Sequence, residues 1–157
     1  MKRKYFSSFV LVAVVVASLC VTCLAQSTSE SEVHQLINRE RSRARLGSLM
    51  WDDRLARIAR DYSRQMAREG FFDHYDPNGR TVSDRALAAR VRNWKEIGEN
   101  LFVCDEHPYF ASTAVRGWMR SPTHRQNILA RDWTATGIGV YTSRDGSIFI
   151  TQVFTRE

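Results

Sequence analysis

"WMRSPTHRQNIL", residues 118–129, joins two helical runs across a Ser-Pro step. A proline inside a helix removes a backbone donor and clashes with the preceding turn, yet it suits the first position of a new helix. The stretch therefore reads as one helix ending near Arg120 and a second, short one opening at Pro122, with Ser121 as its cap. His124 then falls in the first turn of the second helix. Side chains at such corners tend to face clefts, so the rest of the chain is read for what His124 could meet.

Working outward, "YFASTAVRGWMR" predicts a helix begun by Pro108, with Trp118 in the core. Downstream, "TATGIGVYTS" and "SIFITQVFT" are β-rich runs joined through Asp145-Gly146, a hairpin signal. Upstream, "EIGENLFVC" reads as extended, and "TVSDRALAARV" as a short helix capped by Thr81. "FFDHYDPNGR" carries the turn pairs Asp-Pro and Asn-Gly. A longer helix spans Asp53 to Glu69, with Asp52 as cap and Gly70 as stop. Leu55, Ile58, Ala59, Tyr62 and Met66 form its apolar face, and Arg54, Arg57, Arg60, Arg64 and Arg68 its opposite face. A first helix begins near Val33, capped by Ser29 or Ser31, and ends at Gly47. Helices come early and in the middle and the paired strands come late, which is an α+β layered domain rather than alternating βαβ units.

The first 25 residues stand apart. Lys2, Arg3 and Lys4, then "FVLVAVVVASLCV", then small residues at Cys23 and Ala25 have the anatomy of a secretory signal peptide cut after Ala25. The apolar run is short for a membrane span, which needs about 20 residues. Cys20 and Cys23 lack a preceding small residue of the kind that lipid attachment favours. The whole chain carries a net charge of +6; the leader holds three basic residues and no acid, which leaves +3 on the remaining 132 of the 157 residues. Residues 26–32 are polar and read as a flexible lead-in, and 33–157 as one domain, long enough to bury a core without staples. That domain keeps Cys104 alone, so it has no internal disulfide, and the thiol is expected to be buried and inert. A secreted monomer with no nucleic-acid partner follows, located outside the cell or in the periplasm.

Of four histidines, His34 and His107 read as solvated. His74 and His124 both sit at corners, and between them in sequence lies Glu99, a carboxylate in an apolar extended segment. A buried carboxylate is costly unless paired, so Glu99 needs a partner, and an imidazole would serve. Two imidazoles and a carboxylate also suit a divalent cation such as zinc, with water completing the shell, although the spacing alone is equally compatible with structural hydrogen bonds.

Taken in order, "FFDHYDPNGR", "IGENLFV", "AVRGWMRSPTHRQNIL" and "TGIGVYTS" resemble the CAP superfamily of cysteine-rich secretory, antigen-type and pathogenesis-related proteins, and within it the cysteine-poor bacterial SCP-like branch. The resemblance runs from about Val33 to Phe154. It implies a three-layer α-β-α sandwich, a small antiparallel sheet between helices, with a central cleft lined by Glu99, Asn100 and Ser121. It implies His74 and His124 as metal-binding candidates, with zinc or another divalent cation as the one cofactor to consider. Animal members carry a second glutamate where Ser121 stands, so one carboxylate fewer faces a cation here. Asn100 is expected to fix the loop beside Glu99.

The function implied is non-catalytic binding of a ligand (lipid, glycan or protein) in or beside that cleft. One alternative is a metal-assisted, peptidase-like hydrolase with Glu99 as general base. The chain has no G-x-S-x-G nucleophile elbow and no H-E-x-x-H pair to support it. A further alternative is a surface adhesin that meets anionic polymers or membranes through the arginine face.

Overall fold

A computed structural model describes residues 28–157, so the leader and its expected cleavage site lie outside the described residues. Five helices and four strands follow in the order α1 (28–43), β1 (Met50–Trp51), α2 (Asp53–Glu69), α3 (Val82–Ala88), β2 (Glu96–Asp105), α4 (Phe110–Arg120), α5 (Pro122–Leu129), β3 (Ala135–Thr142) and β4 (Ser147–Arg156). The strands form one sheet in the order β1-β3-β4-β2, with β1 parallel to β3 and the other pairs antiparallel.

Alternation along the strands builds the layers. Ile138 and Val140 of β3, Ile148, Ile150 and Phe154 of β4, and Phe102 of β2 pack with α1, α4 and α5 around the fully buried Trp118. The intervening residues, among them Ala135, Val153, Leu101 and Ile97, pack with α2 and α3. Leu55, Ile58, Tyr62 and Met66 of α2 are each at most 5 % exposed. Each contributes about 2 kcal/mol by burial, well above the few tenths by which helix propensity separates ordinary residues. The α2 backbone comes unusually close to β3. A Cβ at Gly137 would lie 2.1 Å from Ala56 N, and one at Gly139 2.1 Å from Arg60 N. Those two glycines are what let this helix lie on the sheet.

Several local expectations hold. Asp52 accepts from Arg54 N and Leu55 N, and Gly70 closes α2 at φ 70°. Thr81 and Asp84 form a reciprocal capping box on α3. Gly146, at φ 86°, turns the β3–β4 hairpin.

Others are corrected. Residues 28–32, read as flexible, are the first turns of α1, because Glu30 is buried there. Its carboxylate takes both Arg60 Nε (2.8 Å) and Arg60 Nη2 (2.6 Å) and also caps Val140 N. The helix stops before Gly47, with Arg45 in the left-handed region at φ 58°. Pro108 precedes α4 by two residues rather than opening it. His34 is half-buried, not solvated: its Nε2 lies 3.0 Å from Leu49 O and its ring meets Trp51 edge-on. β1 has no counterpart among the sequence expectations, since two residues carry no periodicity.

β2 is an edge strand, and its outward carbonyls are covered by the helical layer. Trp118 Nε1 donates to Leu101 O at 2.8 Å, and Asn127 Nδ2 donates to Glu99 O at 3.2 Å. Capping an edge in this way blocks further strand pairing. It also fixes α4 and α5 against β2, which sets the position of His124.

Candidate functional site

Consecutive residues of β2 point to opposite layers, and the site is built on that alternation. Glu99 turns toward α2 and α3, and Asn100 toward α5. Asn100 is fully buried; its Nδ2 donates to His124 O at 3.2 Å, and its Oδ1 accepts from Asn127 Nδ2 at 2.9 Å. The expected local loop bond is therefore a long-range one, which clamps the first turn of α5 onto the strand. Ser121 occupies the N-cap position of α5 in extended conformation, but its side chain makes no capping bond.

On the other layer, Glu99 is the buried centre of a cluster. Its side chain is 3 % exposed, and both oxygens are engaged: Oε1 with His74 Nδ1 at 2.9 Å, Oε2 with Arg85 Nη2 at 2.6 Å. Because a carboxylate only accepts, the His74 proton sits on Nδ1, and Nε2 belongs to the half-exposed side of the ring. Arg85, from α3, lies over the Tyr62 ring at 3.3 Å and donates through Nη1 to Arg80 O at 3.0 Å. Tyr62 in turn donates to Asp73 O, the residue before His74, at 2.5 Å. Burial pushes the Tyr62 hydroxyl up to about 12, so it stays a donor. The hydrogen bond to Glu99 raises the His74 imidazole above its ordinary value. Burial, and then the charge of His74, lower His124.

Of the sequence-predicted residues, His74 and Glu99 are in direct contact on one face of β2, and Asn100, on the other face, holds the backbone carbonyl of His124. Ser121 makes no side-chain hydrogen bond to the cluster. Two groups that matter here are missed by the sequence reading: Arg85 and the hydroxyl of Tyr62. The signal for Arg85 was the need of Glu99 for a partner, which a cation meets as well as an imidazole.

The arginine face of α2 is largely occupied. Arg54 pairs with Asp52, Arg60 with Glu30 and Arg64 with Asp61. Cys104 is half-buried rather than enclosed, with its thiol pushed up by burial and then by Asp105.

Zinc makes definite demands on a donor set: a catalytic zinc takes three protein ligands and a structural one four. Among the described residues, no group of three or more His, Cys, Asp or Glu side chains is placed to hold a metal ion. Glu99 has no free oxygen, and its charge is met by Arg85. That leaves two imidazoles, which do not fit a resident metal centre.

Comparison with known proteins supplies the family. The family model "CAP: Cysteine-rich secretory protein family" matches residues 34–154. The uncharacterized protein YkwD of Bacillus subtilis is 33 % identical over 126 residues, covering 80 % of this chain and 47 % of its own. The crystal structure of an extracellular protein containing a SCP domain, from Bacillus anthracis, is 32 % identical with a TM-score of 0.74, covering 84 % of this chain and 41 % of its own. This chain thus spans less than half the length of either relative. An outer surface protein of Borrelia burgdorferi, at 19 % identity, shares the fold with a TM-score of 0.75, covering 83 % of this chain and 93 % of its own. With a family match over most of its length, the chain belongs to the CAP, or cysteine-rich secretory protein, family.

Proposed function

We propose that this is an exported, non-catalytic CAP domain that binds a ligand at the β2-edge cleft, with His74 and His124 as its polar contacts. The observation that carries the reading is the state of Glu99. A general base needs a free lone pair within reach of substrate. Both Glu99 oxygens are instead held, by His74 and by Arg85, in a side chain 3 % exposed. A carboxylate so placed orients the imidazole rather than taking a proton from a substrate. His74, half-exposed, is the group left to meet a ligand.

The ligand class favoured is lipid. Phe72 and Tyr75, on the same loop as His74, are 48 % and 59 % exposed, and Leu87 of α3 is 46 % exposed. An imidazole that gains charge, set among exposed apolar side chains, suits an amphiphile with a polar or anionic head. Export is supported by the leader-like first 25 residues and by the extracellular and outer-surface descriptions of the two structural relatives.

The test is equilibrium binding of the chain without its leader to phospholipid vesicles and, separately, to soluble envelope glycan fragments. Saturable vesicle binding that is lost in the His74→Ala/His124→Ala variant is expected. Turnover of a peptide or glycan substrate that disappears in Glu99→Gln would overturn the non-catalytic reading.

A further inference from the structure

Away from the cleft, a cavity of about 460 Å³ opens between the last turn of α2 and the β3–β4 hairpin, lined by Ala67, Arg68, Tyr141, Ser143, Arg144 and Asp145. Tyr141 lies opposite Phe149 in register, and Phe149 packs against Tyr62 and Met66, which puts Tyr141 on the α2 side of the sheet. The cleft is elsewhere: Glu99 pairs with Val153 and Asp105 with Ser147, a separation of roughly 20 Å along the strand. Both elements that carry the arginines are fixed. Gly70 N closes α2 on Met66 O at 3.0 Å, and Ser143 N closes the hairpin on Ser147 O at 2.8 Å. Arg54, Arg60 and Arg64 of the same helix are paired. The side chains of Arg68 and Arg144 have no hydrogen bond or ion pair among the described residues, and neither has the Tyr141 hydroxyl. Asp145, the acid in the lining, is engaged: its Oδ1 accepts from the Ser143 hydroxyl and, at 3.0 Å, from Ser147 N. An arginine in the last turn of a helix answers the helix dipole, which accounts for Arg68 alone. It does not account for a second guanidinium and a phenol that the hairpin brings to the same cavity.

We infer that this cavity is a second binding site, for a phosphate ester, with Arg68 and Arg144 holding the phosphoryl oxygens and Tyr141 donating its hydroxyl. The choice of anion follows from the donors. A carboxylate presents two oxygens in one plane and is satisfied by one guanidinium fork, whereas a phosphate monoester offers three terminal oxygens to forks arriving from two elements. The choice of an ester over the free ion follows from size. The cavity falls in the range of about 300–1,000 Å³ that organic ligands occupy, and Ala67 with the Tyr141 ring supplies an apolar wall for the part that bears the phosphate. Two guanidinium charges against one carboxylate leave the lining net positive. The site goes beyond the binding proposed for the cleft and shares no residue with it.

The test is titration of the chain without its leader with glycerol phosphate, followed by calorimetry and by amide resonances, at about pH 7.5, where the ester carries its second charge. Saturable binding is expected, with shifts at Arg68, Tyr141, Ser143 and Arg144. Both arginines are exposed, so Arg68→Gln and Arg144→Gln should fold as the wild type does. Each should weaken binding about ten-fold, the worth of one hydrogen-bonded contact between charged groups. The double variant should not saturate. Arg57→Gln removes the same charge from the exposed face of α2 at a point roughly 16 Å away along the helix. That is beyond the screening length of about 8 Å at physiological salt, so affinity should stay within about two-fold. His74→Ala/His124→Ala should leave it unchanged, so this site and the cleft reading fail separately. Vesicles containing phosphatidylglycerol separate the sources of the ester: competition by them assigns a lipid headgroup, and its absence assigns a free ester. A wild-type chain that does not saturate, affinity kept in the double variant, an equal loss in Arg57→Gln, or inorganic phosphate bound as tightly as the ester overturns the inference.

Discussion

At its C-terminal end α5 is gripped by Arg41, whose Nη1 donates to Ile128 O and Ala130 O at 2.8 Å each, while Nε donates to Gly47 O at 2.8 Å. At its N-terminal end the same helix meets the sheet through neutral amides, Asn100 and Asn127, with His124 half-exposed beside them. The first end is closed: Arg41 is 1 % exposed, with carbonyls as its partners, and burial lowers its pKa. A cation at a helix C-terminus also meets the negative end of the helix dipole. The second end is left open enough to present an imidazole. Rigidity at one end and access at the other are what a short helix needs if its first turn is to display a side chain.

Breaking the closed end should cost most. Arg41→Met removes a buried guanidinium that serves three carbonyls, one of them on the fully buried Ile128, and the expected loss is about 3 kcal/mol. Denaturant unfolding measures it. A loss below about 1 kcal/mol would mean that water or backbone shifts satisfy those carbonyls. The loss should also loosen both α1 and α5, seen as faster amide exchange in each, since the side chain ties residues 87 and 89 positions apart.

The open end should yield less. Asn100→Ala removes the bond to His124 O and strands Asn127 Nδ2, which keeps only its longer contact with Glu99 O. The expected cost is about 2 kcal/mol. Its second consequence separates the two ends: His124 should gain mobility and its titration should move back toward the ordinary imidazole value, whereas Arg41→Met should leave it in place. Unchanged His124 resonances in Asn100→Ala would show that packing alone positions that turn.

A third difference appears with pH. His74 is raised, first by its hydrogen bond to Glu99, so its contribution to stability is fully present below about pH 6.5 and is lost as pH rises through the folded value. His124 is lowered, first by burial, so it works the other way: the unfolded chain binds the extra proton, and stability falls as pH drops below the ordinary value. The two slopes oppose each other in the wild type. His124→Ala should expose the first and His74→Ala the second, read from unfolding curves across neutral to mildly acid pH. Slopes of the same sign in both variants would contradict the assignment of causes.

Much of this was legible in the chain. Proline and serine at 121–122 break the helix, the apolar face of α2 has helical period, and Asp145-Gly146 closes a hairpin; each is a local signal with a local cause. The family motifs single out His74, Glu99 and His124, of which His74 and Glu99 are in contact. What escaped was long-range polar satisfaction. Arg41 and Arg85 sit in polar helical sequence that looks solvent-facing, and nothing near them in the chain announces the carbonyls or the carboxylate they reach. Glu30 escaped for the same reason, since its partner Arg60 is 30 residues away in what reads as a solvated stripe. Hydrophobic periodicity is written into each element, whereas a buried charge is explained only by residues from other elements.

Ser121 provides the finest comparison, because sequence and structure disagree about what it does for α5. A serine before a proline-led helix is expected to cap it, and losing such a cap costs about 1 kcal/mol. In the structure the Ser121 hydroxyl makes no capping bond; the residue contributes its carbonyl to Arg125 N at 2.9 Å, which any residue can do. Ser121→Ala should therefore change stability by less than about 0.5 kcal/mol. A loss near 1 kcal/mol would mean that the hydroxyl rotates to cap the helix in solution. A loss within the smaller bound means that proline, with its fixed φ, and the Asn100–Asn127 clamp start this helix, and that the Ser121 hydroxyl does not hold it.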